Sequence, residues 1–257
     1  MPLINILIAF GIALLLISSV ATIVTLVNSS TTSSSKKDDK PKKVCVFDID
    51  NTLTAAATLP KVCNLSPVGK SADRSTQSAG GDPAAPYAKE AIKRCRDKGY
   101  GVAIATAESK KNATSDKQKK FLRSIGWNEK TDPLYHCDLS KQGTSYTICA
   151  DQKYQVVEVD GPTGTKKFKL VKSSTAGSVK KPMYENVAKD FNVDIKDLII
   201  FDDDAQNLSL CKYLMTDDGN PCSENCDHCI QASTNCAGKW CPKGCGLTKQ
   251  NFDIAGI

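Results

Sequence analysis

The chain has 257 residues, 34 Lys and Arg against 28 Asp and Glu, a formal net charge of +6, and 40% hydrophobic residues. That is too apolar for a chain disordered throughout, and there is no collagen period. With two His and a mild excess of positive charge, no nucleic-acid partner is expected.

Residues 1–35 contain no Asp, Glu, Lys or Arg. Within them Ile6 to Val27 is an apolar run of 22 residues, about 33 Å long as a helix, against a bilayer core of about 30 Å. A cleaved signal peptide with Ser19-Val20-Ala21 as its cleavage site is the alternative. No basic stretch precedes the run, however, and the run continues past Ala21. The expectation is a single-pass N-terminal membrane anchor, residues 1–28, with the lipid bilayer as partner through residues 6–27. Residues 29–43 read as a polar tether carrying Lys36, Lys37, Lys40, Lys42 and Lys43. Positive-inside logic puts the body in the cytoplasm or an equivalent compartment.

Val44–Phe47 reads as a short buried strand. Thr54–Gly81 is irregular and reads as a small flap. A helix with Pro86 in its first turn follows, placing Ala88, Ala91, Ile92 and Cys95 on one face, and Gly99 ends it. Val102–Ala105 is a second strand, and Ser115–Ile125 a helix. Residues 127–174 read as a possible β insertion, with strands at Thr144–Ala150, Gln155–Val159 and Lys167–Val171, the last two joined through Asp160–Gly164. Pro182 opens a helix with Tyr184, Val187, Ala188 and Phe191 at helical spacing, and Leu198–Phe201 is a further buried strand. Short apolar strands alternating with helices predict an α/β fold: a Rossmann-like parallel sheet with helices on both faces, over residues 44–214.

Parallel sheets of this kind hold ligands at the carboxyl ends of their strands. Those ends deliver Asp48, Asp50 and Thr52 after the first strand, Thr106 after the second, and Asp202, Asp203 and Asp204 after Leu198–Phe201. Asp48 and Asp50 are two apart, and in extended backbone they face the same side. Such carboxylates repel unless a cation is present, and Mg²⁺ prefers oxygen ligands of this type. An EF-hand is rejected, because Leu53 and Leu59 stand where that loop needs Gly and Glu.

The run FDIDNTLT resembles the first motif of the haloacid dehalogenase (HAD) superfamily in its phosphotransferase form, D-x-D-x-T. Thr106 is similar to the second motif, Lys181 to the third, and FDDDAQN to the fourth, in the D-D-x-x-x-N form of the small magnesium-dependent phosphatases. The resemblance implies a phosphomonoester hydrolase that works through an aspartyl-phosphate. Asp48 would be the nucleophile and Asp50 the general acid and base. Thr106 would donate to a phosphoryl oxygen and Lys181 would neutralise charge. Lys180 is the competing third-motif residue; Pro182 as first helical residue favours Lys181 at the helix N-terminus. Mg²⁺ would be held by Asp48, Asp50, Asp202 and Asp203, with Asp204 and Asn207 supporting or capping. The flap is small, and an open site of this kind is read by analogy as access for a macromolecular phosphorylated substrate.

Residues 215–257 read as a Cys-rich tail with Cys222, Cys226, Cys229, Cys236, Cys241 and Cys245. Two readings stand. Cys226-x2-Cys229 has zinc-knuckle spacing, with Cys241 and Cys245 as a second pair; six Cys also make a disulfide knot. Cys45, Cys95 and Cys211 read as small core residues. The alternative function is a non-enzymatic HAD-like structural or interaction protein on a membrane, virion or cell envelope.

Overall fold

The computed structural model describes residues 40–55, 73–137, 153–162, 165–174, 176–216, 221, 226–232 and 245–257. The chain divides into Met1–Asp39 and Lys40–Ile257, and all described residues belong to the second unit. Among them no helix is long and apolar enough to cross a membrane. The expected anchor at 6–27 lies outside the described residues, as do the strand expected at Thr144–Ala150 and the tail residues Cys222, Cys236 and Cys241.

Five parallel strands form the sheet. They are β1 (Val44–Phe47), β4 (Gly101–Ser109), β5 (Leu134–Cys137), β8 (Leu198–Asp202) and β9 (Cys229–Gln231). Their order is β5-β4-β1-β8-β9, so the expected strands β1, β4 and β8 lie side by side at its centre. Val44 pairs with Gly101 on one side and Leu198 on the other, and Phe47 with Ile104 and Phe201. β1 and β8 thus end near the same level, while β4 runs on to Ser109, past the end expected at Ala105.

Central strands are buried on both faces, which is why they read as unbroken apolar runs. Alternation then sorts their side chains into two cores. Cys45, Phe47, Val102, Ile104, Ile199 and Phe201 face one core, where Phe47 and Phe201 stack at 4.8 Å. Helices α1 (Ala88–Asp97), α3 (Asp116–Ser124) and α6 (Lys249–Ala255) supply Ile92, Phe121, Leu122 and Phe252 to it. Val44, Val46, Ala103, Ala105, Leu198 and Ile200 face the other. It is covered by α4 (Lys181–Phe191) and α5 (Ala205–Leu214), through Met183, Tyr184, Val187, Leu208 and Leu210. Helices therefore cover both faces. The short α2 (Lys110–Ala113) continues directly from β4.

Two small antiparallel ladders stand outside the sheet: β2 (Asp73–Gln77) with β3 (Pro83–Ala84), and the hairpin β6 (Lys153–Asp160) with β7 (Lys166–Ser173). The hairpin is the described part of the insertion expected at 127–174, of which β5 instead joins the sheet. Tyr154 and Leu170 of the hairpin pack against the second core.

The boundary drawn at residue 215 does not mark the end of the core. β9 and α6 complete the sheet and the first core, with Ile230 and Phe252 buried. Phe252 meets Tyr87 edge-on at 5.9 Å, and the Arg94 guanidinium lies over its ring. Two disulfides pin the arrangement: Cys45–Cys95 joins β1 to α1, and Cys211–Cys229 joins α5 to β9. Cys45, Cys95 and Cys211 are buried, as small core residues would be, but they are bonded rather than merely packed. Because Cys229 bonds to Cys211, the Cys226-x2-Cys229 zinc knuckle is not formed. Cys226 and Cys245 are themselves disulfide-bonded. The disulfide reading of the tail therefore replaces the zinc reading for these residues.

Candidate active site

β1 ends at Phe47, and Asp48 continues in extended conformation, its amide donating to the Phe201 carbonyl at 2.9 Å. The chain then turns sharply through Ile49–Leu53. Asn51 takes a left-handed conformation, φ 54°, which Asn tolerates better than most residues because its short side chain can bond locally. Thr54 closes the turn: its amide and hydroxyl both donate to the Ile49 carbonyl, and its Oγ1 accepts from the Asn51 amide. The C-terminal segment braces this turn, with the Leu247 amide donating to the Thr52 carbonyl at 2.9 Å. Gly246, at φ 67°, lies so close that an added Cβ would meet the Thr54 carbonyl oxygen at 2.6 Å, so only Gly fits there.

Asp48 is buried, and the Lys180 ammonium reaches both its Oδ1 and Asp202 Oδ2, the latter at 2.6 Å. Lys180 is 1% exposed. It occupies the N-cap of α4, and its amide donates to Ser178 Oγ at 3.1 Å. The preference for Lys181 over Lys180 is thereby revised. Helix α4 begins at Lys181, with Pro182 one position later, and this turns Lys181 outward. There it pairs with Glu185 and lies over the Tyr154 ring at 5.2 Å.

Asp202 closes β8 and is held from the opposite side. Asn207 Nδ2 donates to its Oδ1 and Oδ2 at 2.9 and 3.1 Å, and the Asp204 amide to its Oδ1 at 3.0 Å. Asp204 caps α5, accepting from the amides of Gln206 and Asn207. Among the described residues, Asp48, Asp202 and Asp203 form a group whose ligand oxygens lie within 4.8 Å of one another. The Asp50 carboxylate lies outside that group.

The electrostatics follow from burial. Desolvation, with Asp202 and Asp203 close by, raises Asp48 well above the usual carboxylate range against the pull of Lys180. Asp203 is raised to about 6 by burial first and Asp202 next. Burial alone would lower Lys180; Asp202 and Asp48 outweigh it and the amine stays protonated. Three carboxylates thus face one ammonium. Their close oxygens and excess negative charge fit a small divalent cation with oxygen ligands, which would also favour the ionised form of Asp48.

Thr106 stands on the other side of Asp48, on β4. Thr106 is fully buried within β4, which runs on past the end expected at Ala105, and its Oγ1 accepts from the Glu108 amide at 3.1 Å, leaving its proton to donate elsewhere. Asp50 is half-buried and raised by desolvation, then by Asp82. Glu108 was not singled out in the sequence. It is raised to about 7 by burial first and Asp50 next. The strand expected at Val102–Ala105 stops short of it, whereas β4 runs to Ser109 with a register shift between Ala105 and Ser109.

Comparison of the sequence with protein-family models and with curated proteins returned no match.

Proposed function

We propose that the chain is a Mg²⁺-dependent phosphomonoester hydrolase of HAD type, acting through an aspartyl-phosphate on Asp48. The observation that carries this reading is the Lys180 ammonium bonded to both Asp48 and Asp202 at the ends of adjacent strands, with Asp203 in the same cluster.

Asp48, Asp202 and Asp203 would hold the ion with the Asp50 carbonyl, and Mg²⁺ when bound supplies positive charge against the phosphoryl oxygens. Asp48 attacks phosphorus, and the bond to the leaving oxygen breaks as Asp50 gives that oxygen its proton. Asp50 then takes a proton from water, whose oxygen displaces phosphate from Asp48. Thr106 donates to a phosphoryl oxygen throughout. Lys180 holds Asp48 in line and balances the charge that builds up on the phosphoryl group.

An anchor at residues 6–27 would place this activity at a membrane. The disulfides favour an oxidising compartment for the body, against the positive-inside orientation. The test is hydrolysis of a generic aryl phosphate by the full chain in detergent, with Mg²⁺. Activity should vanish with EDTA and fall by at least about a thousandfold in Asp48→Asn. Equal rates in the two proteins would overturn the reading and favour a non-enzymatic interaction protein.

A further inference from the structure

Tyr184 lies one turn beyond Lys180 on the face of α4 that covers the second core, its amide donating to the Lys180 carbonyl at 3.0 Å. Side chains on a helix point back toward its N-terminus, so the Tyr184 ring runs toward the turn that carries Lys180. The residue is 1% exposed, and its hydroxyl is buried without a hydrogen-bond partner. Burial first, and then the charges of Asp202 and Asp48, hold the phenol well above its usual range, so it stays a donor.

A fully buried hydroxyl is nearly always paired. Here the nearest acceptor is already full. A carboxylate offers about four lone-pair sites. Asp202 receives the Lys180 ammonium, the Asp204 amide, and Asn207 Nδ2 on both of its oxygens. The reaction would change that count. Lys180 sits between Asp48 and Asp202, whose charges hold it there. Once Asp48 carries a phosphoryl group, its own charge is gone and the new charge lies on the phosphoryl oxygens. The ammonium follows the charge, and its place on Asp202 Oδ2 falls free.

We propose that Tyr184 is a positioning residue: its hydroxyl donates to Asp202 when Lys180 turns to the phosphoryl group, and so keeps that carboxylate in place through the second half of the reaction. This rests on the phosphatase reading, in which Asp48 becomes phosphorylated.

The probe is beryllium fluoride, which adds to a carboxylate as a mimic of a phosphoryl group, titrated by calorimetry into the full chain in detergent with Mg²⁺. Tyr184→Phe should raise the half-saturating concentration by at least about tenfold, as expected for a hydrogen bond to a charged group. In urea with EDTA the same variant should unfold at the midpoint of the unchanged chain, because the hydroxyl it lacks is unbonded there. Equal binding by the two proteins, or a clear loss of stability in EDTA, would overturn the assignment. Asp48→Asn reports on the phosphatase reading separately. No binding by the unchanged chain, or binding that survives Asp48→Asn, sinks that reading and the role of Tyr184 with it. Binding that depends on Asp48 but not on Tyr184 sinks the role of Tyr184 alone.

Discussion

Around Lys180, two buried carboxylates share one buried ammonium, and Asn207 and a backbone amide hold Asp202 from behind. Around Asp50, the half-buried carboxylates of Asp50, Asp82 and Glu108 have no cation of their own among the described residues. The first arrangement is close to complete within the chain. The second is the more exposed of the two.

The largest effect should come from breaking the first arrangement. Lys180→Met leaves Asp48 and Asp202 buried without their counter-charge. Stability in EDTA should drop by about 3–5 kcal/mol, and activity should be lost. Lys181→Met removes an exposed pair with Glu185 and the ammonium over the Tyr154 ring, together worth about 1 kcal/mol. Urea unfolding of both variants measures the contrast. Similar losses in the two would mean that the buried lysine has no special place.

That contrast marks the limit of what could be read from the sequence. Asp48, Thr106 and Asp202 were found because VCVF, VAIA and LIIF are continuous apolar runs, although the strand holding VAIA continues to Ser109 rather than ending at Ala105. Lys180 and Lys181 are adjacent, and the choice depends on where α4 starts. A shift of one helical position turns a side chain by about 100°, which exchanges buried for exposed. β5 and β9 went unread because they are short edge strands with no apolar run, LYHC and CIQ. The Cys45–Cys95 bond joins residues 50 apart in sequence, and the sequence pattern carried no sign of their proximity.

The next effect concerns how the fixed half is kept in place. Cys45–Cys95 pins the strand that delivers Asp48, and Cys211–Cys229 ties α5, which carries Asn207, to the strand beside Asp202. Their sequence separations are 50 and 18. Chain entropy then predicts losses of about 4 and about 3 kcal/mol on replacing each pair by Ala. Denaturant unfolding of the two double variants tests the order. A larger loss from the shorter loop would show that packing around α5, rather than loop closure, sets the stability of the Asp202 side.

The smallest effect belongs to the open half and appears as a pH dependence. Glu108 rises from its usual 4.5 to about 7 on folding, so between these values the folded chain binds the proton more tightly than the unfolded one. Protonated Glu108 therefore favours the fold, and stability is lost as pH rises through that window. Glu108→Gln cannot lose a proton, and every other titrating group is common to both proteins. In EDTA, the unfolding free energy of the variant relative to the unchanged chain should climb between about pH 4.5 and pH 7, then level off. A difference that is flat across this range would mean that neither burial nor Asp50 raises Glu108 on folding.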